Sequence, residues 1–235
     1  MLKGIFFDIG YVICRMNTGD WRTTNKFFEY VPREYMSGLA PDILADAYEA
    51  CNAVLDQWKF VRNVQEEYEM NTRSYRAMIG KLPGISVSEE QIREIAYDRT
   101  FNMDNYVFFE GVPDVIRELA ANYKIGIISD TWPSADAVLK KAGVYDYVDS
   151  FTYSCYVGTT KPDVRMYEHA LRKIGLEGEE TLFVDDCIPN LVAAAKLGIK
   201  PVLMLTGESR GSSSFTEIES LRELPGMLKS DEAGK

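Results

Sequence analysis

The sequence predicts an α/β protein: a doubly wound parallel-sheet core with an inserted all-helical domain. Short, almost continuously apolar runs recur at 2–7, 124–128, 181–184 and 201–205, as is typical of strands covered on both faces. Between them, apolar residues spaced three and four apart predict helices at 113–123, 134–143, 163–175 and 189–198. Strands alternating with helices imply right-handed βαβ units and therefore a parallel sheet.

Residues 15–105 interrupt this alternation. The stretch is rich in Tyr, Glu, Arg, Asn and Met and contains no convincing buried strand. Its apolar spacing indicates helices at 20–31, 42–58, 61–80 and 88–101. We therefore expect a helical domain at 15–105, inserted into a core that consists of 1–14 and 106–235.

Two weaker patterns lie in the predicted core. FTYS at 151–154 is a candidate strand, and the polar stretch 207–214 is predicted to be a loop. One last short helix is expected from the spacing of four apolar residues, namely Ile218, Leu221, Leu224 and Leu228.

The composition argues against several classes of partner. The 235 residues carry a net charge of −10, which argues against nucleic acid or an anionic membrane surface. No apolar run approaches the ~20 residues of a membrane span, and the N-terminus has no signal-peptide pattern. The four cysteines show no CxxC spacing and are expected to be reduced thiols, with the cytoplasm as the expected location.

Polar residues gather where the predicted strands end. Asp8 ends the first strand, Ser129 ends the run at 124–128, and Asp185-Asp186 ends the run at 181–184. Lys161 lies in the loop GTTKPD, just before a predicted helix. Because open α/β sheets bind ligands at the carboxyl ends of their strands, these residues predict one site at one edge of the sheet.

The ordered set resembles the haloacid dehalogenase-like (HAD) hydrolase superfamily. FFDIGYVI is similar to its first motif, IISDT to the second, TKPD to the third and FVDDCIPN to the fourth. The resemblance covers 1–14 and about 106–206 and implies a Rossmann-like core. The insertion corresponds to the helical cap of the C1-capped branch. Within that branch the chain looks like the phosphatase domain of epoxide hydrolases and bacterial sugar-phosphate phosphatases with an FDxGNV first motif.

The resemblance implies a role for each motif in phosphoryl transfer. Asp8 would be the nucleophile and form an aspartyl-phosphate. Ser129 and the N–H of Asp130 would hold the phosphoryl oxygens, and Lys161 would neutralise charge on the nucleophile and the transferring group.

The resemblance also implies a magnesium site. Mg²⁺ would be held by the Asp8 carboxylate, the backbone carbonyl of Gly10 and Asp186, with Asp185 as a second acid that acts directly or through water. Asn190 would fix the loop that carries these acids.

Gly10 departs from the common pattern. Most phosphatases of the superfamily have a second aspartate there, which protonates the leaving group and then assists the attack of water. Such a group contributes about 10²–10⁴ in rate. Its absence implies slow turnover, a substrate with a good leaving group, or another acid that replaces it.

The sequence favours a Mg²⁺-dependent phosphomonoesterase that acts on a small phosphorylated metabolite, with a sugar phosphate as the first candidate. A haloacid dehalogenase is one alternative, because those relatives also lack the second aspartate; the acidic pair Asp185-Asp186 argues against it. A weakly active or non-catalytic protein that binds a phosphorylated ligand is the other alternative, suggested by Gly10. The sequence does not specify the oligomeric state.

Overall fold

The structure, a computed structural model, describes residues 1–206 and 214–233, with side chains described up to Lys229. The chain forms two compact units. The first joins Met1–Arg15, Phe108–Thr131 and Ala135–Lys235, and the second joins Met16–Val107 and Trp132–Ser134. The domain boundaries inferred from sequence stay a prediction. The short segment Trp132–Ser134 groups with the second unit, although the sequence pattern placed it in the core.

Strands and helices alternate through most of the first unit, and helices α1–α5 belong to the second unit. Over both units the strands are β1 (Gly4–Phe7), β2 (Cys14–Met16), β3 (Tyr106–Phe108), β4 (Lys124–Ser129), β5 (Ser150–Tyr153), β6 (Thr181–Asp185), β7 (Lys200–Met204) and β8 (Thr216–Ile218). The α-helices are α1 (Asn25–Tyr30), α2 (Arg33–Ser37), α3 (Pro41–Leu55), α4 (Val64–Ile79), α5 (Glu89–Phe101), α6 (Val112–Ala120), α7 (Ala135–Lys141), α8 (Ser154–Val157), α9 (Val164–Ile174), α10 (Ile188–Ala195) and α11 (Leu224–Ala233).

The main sheet has six strands in the order β5-β4-β1-β6-β7-β8, and all of its pairs are parallel. β1 lies in the middle, with Phe7 opposite Ile127 of β4 and Val184 of β6. β2 and β3 form a separate pair. The parallel, helix-covered sheet confirms the predicted α/β fold class.

Burial on both faces explains why the strands are almost continuously apolar. All four residues of β1 are buried, and so are all five of β6. Phe6 and Phe183 belong to a buried cluster with Met166 and Tyr167 of α9. Because helices cover both faces of the sheet, a polar residue on either face of these strands would be buried among apolar side chains. The strands are therefore apolar on both faces.

Local capping signals position the helices next to the site. The Asp163 side chain accepts a hydrogen bond from the Arg165 N–H at the start of α9, and Gly175 ends this helix in the left-handed region with φ 70°. Pro189 lies in the first turn of α10, where a missing N–H costs little. The loops that end at these two helix starts therefore have well-defined positions.

The second unit has its own apolar core, built by five helices. Phe27, Tyr75, Met78 and Ile95 are among the buried members of this cluster. α5 begins with a capping box between Ser88 and Gln91. The insertion is therefore helical, as the sequence predicted.

Two predicted helices differ from the observed elements. The helix expected at 20–31 begins only at Asn25, because Thr24 caps it and Asp20 instead accepts the Arg22 N–H in a local turn. Ile218 was assigned to the final helix but lies in the edge strand β8, and α11 begins at Leu224. The predicted strand at 151–154 corresponds to β5, and the loop predicted at 207–214 lies, except for Ser214, outside the described residues.

None of the four cysteines is in a disulfide. Across residues 1–206 and 214–233, no helix is both long enough and apolar enough to cross a membrane.

Candidate active site

Asp8 lies directly after β1, at the carboxyl edge of the sheet. Its N–H donates to the Val184 carbonyl at 3.0 Å, which extends the β1–β6 ladder by one residue and fixes the backbone there. The residue is only 8% exposed. Burial raises the pKa of Asp8, the Lys161 cation acts against this rise, and Asp185 adds to it. A charged group at the end of a buried strand is therefore stabilised by a specific cation.

Lys161 supplies that cation. Its Nζ atom lies 3.0 Å from Asp8 Oδ1 and 2.7 Å from Asp185 Oδ2. Burial alone would lower the pKa of Lys161, but the carboxylates of Asp8, Asp185 and Asp130 raise it above its ordinary value. The lysine thus remains protonated between two buried acids, and it approaches them from the loop before α9.

Asp185 is the most completely bonded acid of the site. It is fully buried at the end of β6. Oδ1 accepts from the Cys187 N–H at 2.7 Å, Oδ2 accepts from Lys161, and Asn190 Nδ2 lies 3.1 Å from both oxygens. The predicted loop-fixing residue Asn190 is therefore in contact with the acid that it was expected to support.

The third acid, Asp186, completes a cluster. One ligand oxygen from each of Asp8, Asp185 and Asp186 can be chosen so that all lie within 4.8 Å of one another. Burial, followed by the charges of Asp8 and Asp185, raises the pKa of Asp186 to about 7. Asp8 Oδ1 has the Lys161 cation 3.0 Å away but has no hydrogen-bond partner of good geometry among the described residues. Three carboxylate oxygens that lie close together and repel one another fit a divalent cation such as Mg²⁺.

Ser129 and Asp130 continue the same edge from the neighbouring strand. Ser129 is the last residue of β4, is 3% exposed, and its side-chain hydrogen bond to Asp8 acts to lower the pKa of that acid. The loop that follows is fixed by Ser154, whose Oγ accepts the Thr131 N–H at 3.0 Å. Asp130 Oδ1 accepts the Lys161 N–H at 2.9 Å, a contact that the sequence analysis did not foresee.

Gly10 lies in a tight backbone turn. It bridges to Cys14, and Tyr11 between them has φ 55°, a left-handed conformation that is uncommon for a side-chain-bearing residue. The Thr206 hydroxyl donates to the Tyr11 carbonyl and supports this conformation. Position 10 therefore offers only backbone groups, and the role of its carbonyl as a metal ligand stays a prediction.

The structure brings together five of the residues that the motifs singled out in the α/β unit. Asp8, Ser129, Lys161, Asp185 and Asp186 come from three adjacent strands and one loop. The side chain of Asp130 is the functional candidate that sequence reasoning missed, since only its N–H had been considered. The available signal was an acid directly after Ser129 in IISDT.

These features define the chain as a doubly wound α/β protein with a buried acid–lysine site at the carboxyl edge of its sheet. The family model described as haloacid dehalogenase-like hydrolase matches residues 2–212. The chain therefore belongs to the haloacid dehalogenase-like hydrolases, which confirms the resemblance inferred from the four motifs. It is an enzyme of the hydrolase class, and its assignment to the C1-capped branch stays a prediction.

The similar proteins include one named as a phosphatase and one named as a haloacid dehalogenase. The chain is 24% identical to glyceraldehyde 3-phosphate phosphatase of Methanocaldococcus jannaschii, over 97% of this chain and 98% of that protein. It is 34% identical to the (S)-2-haloacid dehalogenase of Pseudomonas sp. (strain YL), but over only 54% of this chain and 57% of that protein. A solved structure with TM-score 0.64 and 15% identity, the HAD-hydrolase YfnB of Bacillus subtilis bound to magnesium, covers 97% of this chain and 98% of that chain.

Proposed function

We propose that the protein is a Mg²⁺-dependent phosphatase that hydrolyses a phosphomonoester of a small metabolite through an aspartyl-phosphate on Asp8. The observation that carries this proposal is the cluster of three acids whose oxygens lie within 4.8 Å of one another. A dehalogenase needs no metal, so a cluster that fits a divalent cation favours phosphoryl transfer. The phosphatase name of the relative aligned over 98% of its length supports the same class of reaction.

The first step uses the Asp8 carboxylate as nucleophile. One of its oxygens forms a bond to phosphorus while the bond from phosphorus to the leaving oxygen breaks. Lys161, 3.0 Å from Asp8 Oδ1, favours the ionised form of this carboxylate and lies where it reduces repulsion between two anions. Ser129 at the end of β4 would hold a phosphoryl oxygen, together with the N–H of Asp130.

The second step regenerates Asp8. Water attacks phosphorus, the bond between phosphorus and Asp8 breaks, and inorganic phosphate leaves. Asp8, Asp186 and the Gly10 carbonyl would hold Mg²⁺, with Asp185 contributing directly or through water. When bound, the ion screens the negative charges of the nucleophile and the phosphoryl group. The magnesium-bound relative YfnB is consistent with such a site in this fold.

We infer that a sugar phosphate is the first substrate class to test. The relative named for glyceraldehyde 3-phosphate acts on a small phosphorylated sugar, as its name states. When the bond to phosphorus breaks, the anomeric oxygen of a sugar phosphate is also a better leaving group than an ordinary alkoxide, which suits a site without an acid at position 10.

The direct experiment is phosphate release from a panel that contains glyceraldehyde 3-phosphate, glucose 1-phosphate, glucose 6-phosphate and p-nitrophenyl phosphate. We expect release with Mg²⁺, none with EDTA, and none from Asp8→Asn. Asp149→Asn is the matched control, because it removes an acid of the same unit whose carboxylate accepts the Ile125 N–H at 2.8 Å at the other end of β4. No release from any substrate with Mg²⁺ would reject the phosphatase.

The dehalogenase alternative is tested by a separate assay. The 34% identity to a haloacid dehalogenase and the glycine at position 10 favour it. The same protein is incubated with (S)-2-chloropropionate in EDTA, and chloride is measured. Chloride release without metal, combined with no phosphate release, would replace the proposed function with this one.

A further inference from the structure

Asp130 lies at the same edge of the sheet as the nucleophile. It directly follows Ser129, the last residue of β4, and β4 pairs in parallel with β1, the strand that precedes Asp8. The site therefore has a further carboxyl at this edge, although position 10 has none.

Lys161 connects Asp130 to the nucleophile. The Lys161 N–H donates to Asp130 Oδ1 at 2.9 Å, and the Nζ atom of the same lysine lies 3.0 Å from Asp8 Oδ1. Asp130 Oδ2 accepts no hydrogen bond from the residues that the structure describes. Asp8 and Asp185 are buried, whereas Asp130 is exposed. Asp130 thus has one anchored oxygen and one available oxygen at the edge of the site.

The electrostatic surroundings of Asp130 suit proton transfer near neutral pH. The residue as a whole is exposed, but its carboxyl is partly desolvated. This desolvation, together with the smaller effect of the charges of Asp8 and Asp185, raises the pKa of Asp130 to about 6, and Lys161 limits the rise. A general acid is most effective when its pKa is near the working pH. An ordinary aspartate would be almost fully ionised there.

We propose that Asp130 is the general acid and base of this enzyme, in place of the aspartate that Gly10 lacks. The inference rests on the proposed phosphatase function. As Asp8 bonds to phosphorus and the leaving bond breaks, the Asp130 carboxyl gives its proton to the leaving oxygen. The Asp130 carboxylate then takes a proton from the water that attacks phosphorus, the bond to Asp8 breaks, and Asp130 is protonated again.

The test compares leaving groups in Asp130→Asn. Asparagine keeps the oxygen that accepts the Lys161 N–H but cannot donate or take the proton. We expect the turnover of glucose 6-phosphate, whose alkoxide needs a proton, to fall by about 10²–10⁴. With p-nitrophenyl phosphate the first step should persist and the second should slow. The variant should then show a burst of about one p-nitrophenol per protein, from accumulated aspartyl-phosphate.

The wild-type pH profile tests the same proposal without a substitution. If the acid form of Asp130 is required, kcat/KM for glucose 6-phosphate should fall as the pH rises through about 6. This limb should be absent from Asp130→Asn. The double variant Gly10→Asp/Asp130→Asn should recover much of the lost rate, because it introduces an acid at the position where most related phosphatases have one.

Asp149→Asn is the matched control. Its Oδ2 accepts the Ile125 N–H at 2.8 Å at the other end of β4, so the substitution changes the same charge and the same type of bond away from the site. We expect unchanged kinetics. Unchanged glucose 6-phosphate turnover in Asp130→Asn, or an equal loss on both substrates without a burst, would overturn the inference alone. No phosphate release by wild type would overturn the proposed function and this inference with it.

Discussion

Lys161 and Asp185 form a buried ion pair in which Nζ lies 2.7 Å from Oδ2 and the side chains are 2% and 0% exposed. Both oxygens of Asp185 are already used by Lys161, Asn190 and the Cys187 N–H. Asp185 therefore orients the lysine that faces Asp8, and Asp186 is the acid of the pair with more freedom to bind a cation.

Replacing Lys161 by methionine should destabilise the metal-free protein. Asp8 and Asp185 would remain as buried carboxylates without a cation, and removing one partner of a buried ion pair costs about 3–5 kcal/mol. Urea denaturation in EDTA measures the free energy of unfolding. Lys229→Met is the control, because Lys229 pairs with Glu118 at the surface and its loss should have little effect. Equal effects of the two substitutions would contradict the prediction.

Mg²⁺ should raise the Tm of the metal-free protein, because a ligand that binds only the folded state stabilises it. At 100 times its Kd the gain is about 2.7 kcal/mol. Asp186→Asn should remove most of this shift, since it removes one of the three clustered acids. Thermal unfolding with and without Mg²⁺ measures the effect without any substrate, and Asp149→Asn should keep the full shift. A persistent shift in Asp186→Asn would place the metal elsewhere.

Glu67 should give the second unit a pH-dependent stability. It is fully buried and accepts the Ser134 N–H at 2.8 Å and the Ser134 hydroxyl at 2.6 Å. Burial raises the pKa of Glu67 above its unfolded value. The folded state then binds more protons than the unfolded state between the two pKa values, so the free energy of unfolding falls as the pH rises through this range.

Two substitutions of Glu67 separate charge from hydrogen bonding. Glu67→Gln can accept the Ser134 N–H with its amide oxygen and donate from its amide nitrogen to Ser134 Oγ without a charge, so its stability relative to wild type should increase with pH. Glu67→Leu leaves the buried Ser134 N–H without its acceptor, at a cost of about 1–3 kcal/mol. Urea denaturation across pH 4–8 distinguishes them. Parallel pH curves for wild type and Glu67→Gln would show that Glu67 does not titrate in this range.

Alanine substitutions at two glycines should change the stability of the protein in opposite directions. A Cβ at Gly178 would lie 1.7 Å from the Leu197 carbonyl oxygen, so the backbone must move, at a cost of about 1–3 kcal/mol or more. A Cβ at Gly226 in α11 would meet no atom of the described residues within 4 Å, apart from its chain neighbours and its own helix backbone, and alanine should stabilise that helix by about 0.5–1 kcal/mol. Thermal unfolding of Gly178→Ala and Gly226→Ala measures the difference. Shifts of the same sign would contradict this account of Gly178.

The sequence by itself determined the fold class, the helical insertion and the set of polar residues at the strand ends. Strands buried on both faces need near-continuous apolar runs, and helix faces need spacings of three and four, so local composition carries that information. The parallel sheet then requires Asp8, Ser129 and Asp185 to meet at one edge, because each ends a neighbouring strand.

Only the tertiary structure decided how these side chains are partnered. No local pattern indicates that Lys161 pairs with Asp185 as well as Asp8, or that its N–H binds Asp130. The same holds for Glu67 and Ser134, which are 67 residues apart in the chain, and for Ile218, whose spacing predicted a helix but which pairs with β7. Hydrogen bonds and ion pairs depend on distances of about 3 Å between residues far apart in sequence, and only the packed chain sets those distances.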